Sequence, residues 1–318
     1  MRSLLVLAVL LFSISFYLPA QAGIMQPPLW QPDFGDALVG LDGCDAEEQA
    51  IDFPFLIPFN GSLFNNALVG CNGCIQLGGF GTEMNIVDGY WREMEIFLSD
   101  SDPDNPLICP INTDWDAGTN GTVFYNNSGD PLIFTWDGIG TNDSPTTMSS
   151  FQLLLYQDGR IVFNFNGILG PGEDLIEDLD QGIVVGITPS DFPYEGQDFV
   201  PGDPGPVNLN QGPFTFGSTV YERWCFDEAD SCGVSGQDEE LPGPINTAFD
   251  LDFWSICFIP NDDGFSVTSA FEGETEFECE VEVIVTEVPT LSEWGLIAMA
   301  GVLGIVGFMV MRRRKVTV

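Results

Sequence analysis

The side chains in this sequence that could do chemistry are cysteines and carboxylates. Histidine is absent and the only lysine is Lys315. Ser-His-Asp and Cys-His nucleophilic sites, zinc hydrolases built on histidine and an exported Schiff-base lysine are therefore excluded. A pair of acids can hydrolyse glycosides, but among 48 acids some pair falls at a workable separation by chance. A carboxylate-dependent glycan hydrolase stays as an alternative function, with no residue pair singled out. The acids offer a cation site more directly. In Asp100-Ser101-Asp102-Pro103-Asp104-Asn105, carboxylates stand at alternate positions, as the first ligands of a calcium loop do. Asn105 then occupies the place of the turn glycine and Ile111 that of the bidentate Glu, so the segment is not an EF-hand. Asp100, Asp102 and Asp104 are the candidate Ca2+ ligands. Asp114-Trp115-Asp116 and the acidic run 173–180 are further hard-cation candidates. The competing reading of all three is a solvated turn with Asp at Asx positions.

The cysteines are Cys44, Cys71, Cys74, Cys109, Cys225, Cys232, Cys257 and Cys279. An even number in an exported chain points to as many as four disulfides. Their grouping into 44–109 and 225–279 suggests that each half closes its own bridges. Cys71-Asn72-Gly73-Cys74 has the spacing of a redox pair, but such sites need a helix N-terminus to lower the thiol pKa. Asn-Gly between Ala67-Leu68-Val69 and Ile75-Gln76-Leu77 reads instead as a type I′ hairpin with a structural bridge, across the turn or to a neighbour.

Both chain ends indicate export. Arg2 precedes an apolar stretch from Leu4 to Leu18, and Ala20-Gln21-Ala22 supplies a cleavage site, so residues 1–22 read as a signal peptide and Gly23 as the mature start. The exported part holds 47 of the 48 acids against Arg92, Arg160 and Arg223. That balance excludes nucleic acid as a partner, since phosphate backbones require clustered Lys and Arg. It suits solubility in salty water, and it would also draw divalent cations.

The body reads as β throughout. Thr122-Val123-Phe124-Tyr125, Leu132-Ile133-Phe134-Thr135-Trp136, Phe151-Gln152-Leu153-Leu154-Leu155-Tyr156 and Arg160-Ile161-Val162-Phe163-Asn164-Phe165 are strand-like runs between Gly, Asn, Asp and Pro. Asp158-Gly159 marks a further hairpin. The expected class is all-β, an antiparallel β-sandwich ectodomain of one or two modules, with one C-terminal transmembrane helix. Residues 191–216 have the Pro/Gly/Asp composition of a linker. A Cys-rich β module over 217–287 follows, including the runs 249–256 and 278–285, and it either forms its own sheet or completes the first. Most of the 26 Phe read as core. Trp30, Trp91 and Trp115 lie near turns where an exposed platform could bind sugar, with core as the competing reading.

The tail carries the sharpest signal. Val288, Pro289, Thr290, Leu291, Ser292, Glu293, Trp294 and Gly295 lead into an apolar run over 296–311, closed by Arg312, Arg313, Arg314 and Lys315 within 312–318. Between Leu291 and Met311 about 21 residues at 1.5 Å rise cross a hydrocarbon core of roughly 30 Å, and the basic cluster holds its end in the cytoplasm. The motif resembles the IPTL-CTERM sorting tails (residues 288–315), with Val288 where Ile is usual. That resemblance implies an exosortase-like processing enzyme and delivery from the inner membrane to the cell surface or beyond. A single-span membrane-anchored ectodomain without processing is the alternative.

Over about 51–190, Phe53-Pro54-Phe55, Ile57-Pro58-Phe59-Asn60-Gly61, Ile111-Asn112-Thr113-Asp114-Trp115-Asp116, Gly121-Thr122-Val123-Phe124-Tyr125, Phe134-Thr135-Trp136-Asp137-Gly138, 150–161 and Val184-Val185-Gly186-Ile187 follow an order that resembles the nidogen-like extracellular domain, placed here at 23–190. The resemblance implies a matrix or surface β domain and supplies no catalytic centre. The function expected is thus a non-enzymatic exported surface or matrix protein with a binding, adhesion or structural role. Its expected partners are the membrane, the processing enzyme, and surface polysaccharide or matrix protein.

Overall fold

The structure, a computed structural model, describes residues 25–42, 47–78, 106–113, 115–116, 121–141, 148–168, 183–188, 205–217, 219–224, 249–262, 264–274, 277 and 279–280, with Leu303 and Phe308. Residues Met1–Val281 make one compact unit. Its strands are β1 (Asp36–Ala37), β2 (Glu48–Phe59), β3 (Ser62–Gly70), β4 (Ile75–Leu77), β5 (Leu107–Asn112), β6 (Trp115–Asp116), β7 (Thr122–Asn126) and β8 (Leu132–Thr141). They continue with β9 (Ser149–Leu155), β10 (Ile161–Asn166), β11 (Ile183–Thr188), β12 (Gly205–Pro206), β13 (Phe214–Phe216), β14 (Val220–Trp224), β15 (Trp254–Asn261) and β16 (Gly264–Phe271). One sheet runs β1-β7-β8-β9-β10-β15-β16-β13, with β6 on β8, and the other runs β12-β14-β11-β5-β4-β3-β2. The pairing is antiparallel except where β12 lies parallel to β14.

Period-two side chains decide which residues meet. In the first sheet Phe134, Trp136, Phe151, Leu153, Phe163, Phe165 and Phe258 are buried in the same cluster as Ile57, Phe59, Val69, Ile75, Ile108, Val185 and Ile187 of the second. Phe59 and Phe265 meet at 5.4 Å and Phe53 and Phe134 at 6.2 Å between ring centroids, so aromatic pairs from the two sheets interlock. The indole Nε1 of Trp136 donates to the carbonyl of Gly70 at 3.1 Å, a polar tie inside this apolar layer.

The strands after residue 217 do not form a separate sheet. β15 pairs with β10 and β16 with β13 in the first sheet, while β14 pairs with β11 in the second. Part of the expected linker over 191–216 is also ordered, since β12, β13 and the 3-10 turn Leu209–Gln211 fall within it. The strand expected over 249–256 begins only at Trp254, because Leu251, Asp252 and Phe253 form the turn that enters it. The segment 296–311 lies outside the described residues except for Leu303 and Phe308, both helical and exposed. Among the described residues no helix is long and apolar enough to cross a membrane.

The hairpin turns differ from expectation in an informative way. The type I′ turn falls at Asn60-Gly61, where both residues are left-handed (φ 45° and 78°) between Phe59 and Ser62. At Cys71-Asn72-Gly73 only the glycine is left-handed, with φ 83°. The Gly70 N–H donates to the Cys74 carbonyl at 3.0 Å, leaving a three-residue loop. Gln157-Asp158-Gly159 is likewise a three-residue loop, closed by the Tyr156 N–H on the Arg160 carbonyl at 2.9 Å with Gly159 at φ 90°. A Cβ on Gly73 would collide with the Ile111 carbonyl oxygen, whereas one on Gly61 would meet open space. Gly73→Ala is therefore expected to cost about 3 kcal/mol or more, against about 1 kcal/mol for Gly61→Ala, as read by urea unfolding with the disulfides intact.

Candidate functional site

The central strands of the first sheet are buried on their outer face as well. Thr135 on β8, Gln152 on β9, Asn164 on β10 and Ser255 on β15 are directly opposite one another in the ladder. None of the four is exposed to solvent. They form a continuous polar row: the Gln152 Nε2 donates to Thr135 Oγ1 at 3.1 Å, the Asn164 Nδ2 to Gln152 Oε1 at 3.4 Å, and the Ser255 hydroxyl to Asn164 Oδ1 at 2.6 Å. Such a row needs outside partners, because a buried polar atom left unmatched costs about 1–3 kcal/mol.

Leu29 and Gln31 supply them. The Leu29 N–H donates to the Ser255 hydroxyl at 3.0 Å, and the Leu29 carbonyl accepts from Asn164 Nδ2 at 3.0 Å. The Gln31 N–H donates to Gln152 Oε1 at 3.0 Å, while its carbonyl accepts from Gln152 Nε2 at 2.7 Å. All four contacts on the segment are to backbone atoms. Leu29 adds one apolar contact, packing with Ile133, Leu154 and Val162, which flank the row on the same face. Trp30 turns its ring edge to Phe34 at 5.9 Å, so this tryptophan is half-buried rather than a free platform. Trp115 is wholly buried on Phe151, with its Nε1 on the Ile111 carbonyl, and Trp91 lies outside the described residues.

The other end of the unit crosses the same face. Cys279 is bonded to Cys257 on β15, joins the cluster around Leu29 and gives its carbonyl to the Arg160 guanidinium. Arg160 is itself held by Asp158 at 2.8 Å and lies over the Tyr156 ring. Cys74 is bonded to Cys109 on β5, so the Cys71/Cys74 pair does not bridge itself. Cys71 is oxidised too, to a partner outside the described residues. Both described bridges stay within the two sequence groups of cysteines. Cys44, Cys225, Cys232, the residues Asp100, Asp102, Asp104 and Asp114, the acidic run 173–180, the motif 288–295 and the basic residues 312–315 lie outside the described residues. Among the described residues no three His, Cys, Asp or Glu side chains group to hold a metal.

One buried and one half-buried acid are occupied structurally. Glu222, 1% exposed and on the β14 face of Val220 and Trp224, takes the Leu209 N–H at 2.7 Å and so anchors the 3-10 turn. Asp252 accepts the N–H groups of Gly167, Ile168 and Phe253 at 2.8 to 3.0 Å on one oxygen. This fastens the end of β10 to the turn before β15, where Phe253 is left-handed with φ 63°. Burial raises the Asp252 pKa, and the three amides offset part of that rise. Tyr125, desolvated against Phe134, is pushed up to about 12 and stays a neutral hydroxyl.

An all-β unit bridged by disulfides is the build of an exported domain. A family model described as NIDO related matches residues 30–198, more than half of the chain, and the chain belongs to that family. A second, the IPTL-CTERM motif, matches residues 288–314. No curated protein and no solved structure matches it. The family match starts at Trp30, inside the segment laid on the polar row, and stops before β13–β16, which complete both sheets. The domain together with the sorting-tail motif marks an exported, surface-associated protein.

Asp252 gives a direct test of how this corner is held. Asp252→Asn keeps a carbonyl oxygen for the three amides and should be near neutral, while Asp252→Ala should cost about 2–4 kcal/mol in urea unfolding. An acid whose folded pKa is raised contributes most below its unfolded value and loses that contribution as pH rises through the folded value. Relative to the Asn variant, the native chain should therefore weaken as pH climbs from below 3.8, checked by unfolding across a pH series.

Proposed function

We propose that this chain is a non-enzymatic component of the cell surface or its surrounding matrix, with a binding, adhesion or structural role. The observation that carries the reading is the union in one chain of a NIDO-related domain and a C-terminal sorting motif. In this reading residues 1–22 direct export, 296–311 span the inner membrane, and Arg312 to Lys315 keep the end in the cytoplasm. Leu303 and Phe308, apolar, helical and exposed, support a lipid-facing helix. The single apolar cluster shared by the two sheets supports a β-sandwich. An exosortase-like enzyme acts at the motif and releases the ectodomain to the surface. Surface polysaccharide or matrix protein is the partner class. Asp252 and Glu222 support a structural role, since both are turned to backbone amides.

Intact mass tests the route. Protein from membrane and from surface or medium fractions of the host is expected to differ, the latter starting at Gly23 and ending near Pro289-Thr290. An uncut chain confined to the membrane would replace this reading with a plain anchored ectodomain.

A further inference from the structure

The polar row holds a peptide segment, and its occupant is the chain's own Leu29 to Gln31. We infer that the same site accepts residues 25–31 of a second copy, so that exported chains link by exchanging their N-terminal segments. Four features of the structure carry this. The row contacts main-chain atoms of Leu29 and Gln31 and one apolar side chain, so it reads the backbone of a short segment, turned at Pro28-Leu29 by the Trp30 N–H on the Pro27 carbonyl at 3.1 Å, that a second copy supplies identically. The row is also preformed. Thr135, Gln152, Asn164 and Ser255 bind one another through side chains fixed on four adjacent strands, whichever copy fills it.

The segment has a natural pivot. From Asp33 onward the chain is fastened to β7: the Asp33 carbonyl accepts from Asn126 Nδ2 at 3.0 Å, Asp36 and Ala37 pair with Tyr125 and Phe124, and the Leu38 N–H donates to the Val123 carbonyl at 2.8 Å. Pro32, between these anchorages, is exposed. Rotation there releases residues 25–31 without disturbing a strand. Pro27, Pro28 and Pro32 have φ fixed by their rings, so the released segment has fewer conformations to lose on rebinding. Finally, the row does not remain empty, because vacancy uncovers four polar groups together with Leu154 and Val162. Filling in cis or in trans makes the same contacts, as in any domain swap. Local concentration then decides, with a short tether equivalent to about millimolar concentration. Copies held in one surface layer approach that regime; only this clause rests on the surface reading.

The test uses the full chain in two complementary forms. Gln152→Ala/Asn164→Ala disables the row and keeps the native segment, while Leu29→Asp/Gln31→Pro disables the segment and keeps the row. Light scattering on detergent-extracted protein is expected to show each variant as a monomer and an equimolar mixture as a heterodimer. If both fold and the mixture stays monomeric, the inference is overturned and the segment is a clamp within one copy. Should the first variant fail to fold, a labelled synthetic peptide of residues 25–33 is titrated into the Leu29→Asp/Gln31→Pro chain. Saturable binding, weakened about tenfold or more by Leu29→Asp in the peptide, is expected. No binding overturns the proposal. Neither readout depends on tail processing, so failure here leaves the sorting reading intact.

Discussion

The strands β9, β10 and β15 are buried on both faces, and the rest of the molecule is arranged around that requirement. Their inner face meets the second sheet through interlocking aromatic rings. Among the described residues no third sheet covers their outer face, and the segments around Leu29 and Cys279 lie on it instead. A strand buried twice cannot show the usual alternation of apolar and polar, and over 151–155 β9 reads Phe151-Gln152-Leu153-Leu154-Leu155, apolar at every position except the glutamine. The polar exceptions Thr135, Gln152, Asn164 and Ser255 are in register across four strands. Their hydrogen-bonding demand fixes what lies on top: backbone groups at a set height, supplied by the turn at Pro28-Leu29 and by Gln31 after it.

The same face explains the placing of the Cys257–Cys279 bridge and of Arg160. Without a covalent tie, the few residues around Cys279 would add little apolar area against the entropy of ordering a chain end. The bridge to β15 and the guanidinium on the Cys279 carbonyl hold them beside Leu29. In a protein carrying a sorting tail, the connection toward that tail thus leaves from a covalently fixed point. The strand edges are handled separately. β2, at the end of the second sheet, carries Pro54, Pro58 and a bulge between Asp52 and Ile57, features that discourage further strand addition. Association through the N-terminal segment therefore does not compete with edge pairing there.

The extent of the domain follows from the ladder rather than from the family match. β15 lies between β10 and β16, and β14 lies between β11 and β12. Removing the chain after residue 198 would leave β10 and β11 with unpaired edges and would take Phe258, Phe265 and Trp224 out of the core. The matched region and the strands that follow it make one core.

Much was legible in the residues themselves. β-Branched and aromatic content between turn residues located β7 to β10, because the pleated backbone favours those side chains locally. Glycine located the turns for the same local reason, and an even cysteine count in an exported chain implied bridges. The sorting tail was legible because apolar length and terminal charge are properties of sequence alone. What the residues could not state was pairing between distant segments. Cys74 bonds Cys109 rather than Cys71 because β4 and β5 are neighbours. The Asn-Gly at 72–73 became a longer loop, since Gly73 must pass against the Ile111 carbonyl, while the true type I′ turn formed at Asn60-Gly61 in open space. The polar row was invisible for the same reason: Thr135, Gln152, Asn164 and Ser255 are scattered over more than a hundred residues. Each alone reads as an ordinary strand position. Only ladder register sets them in one line, and only burial under Leu29 and Gln31 turns that line into a site.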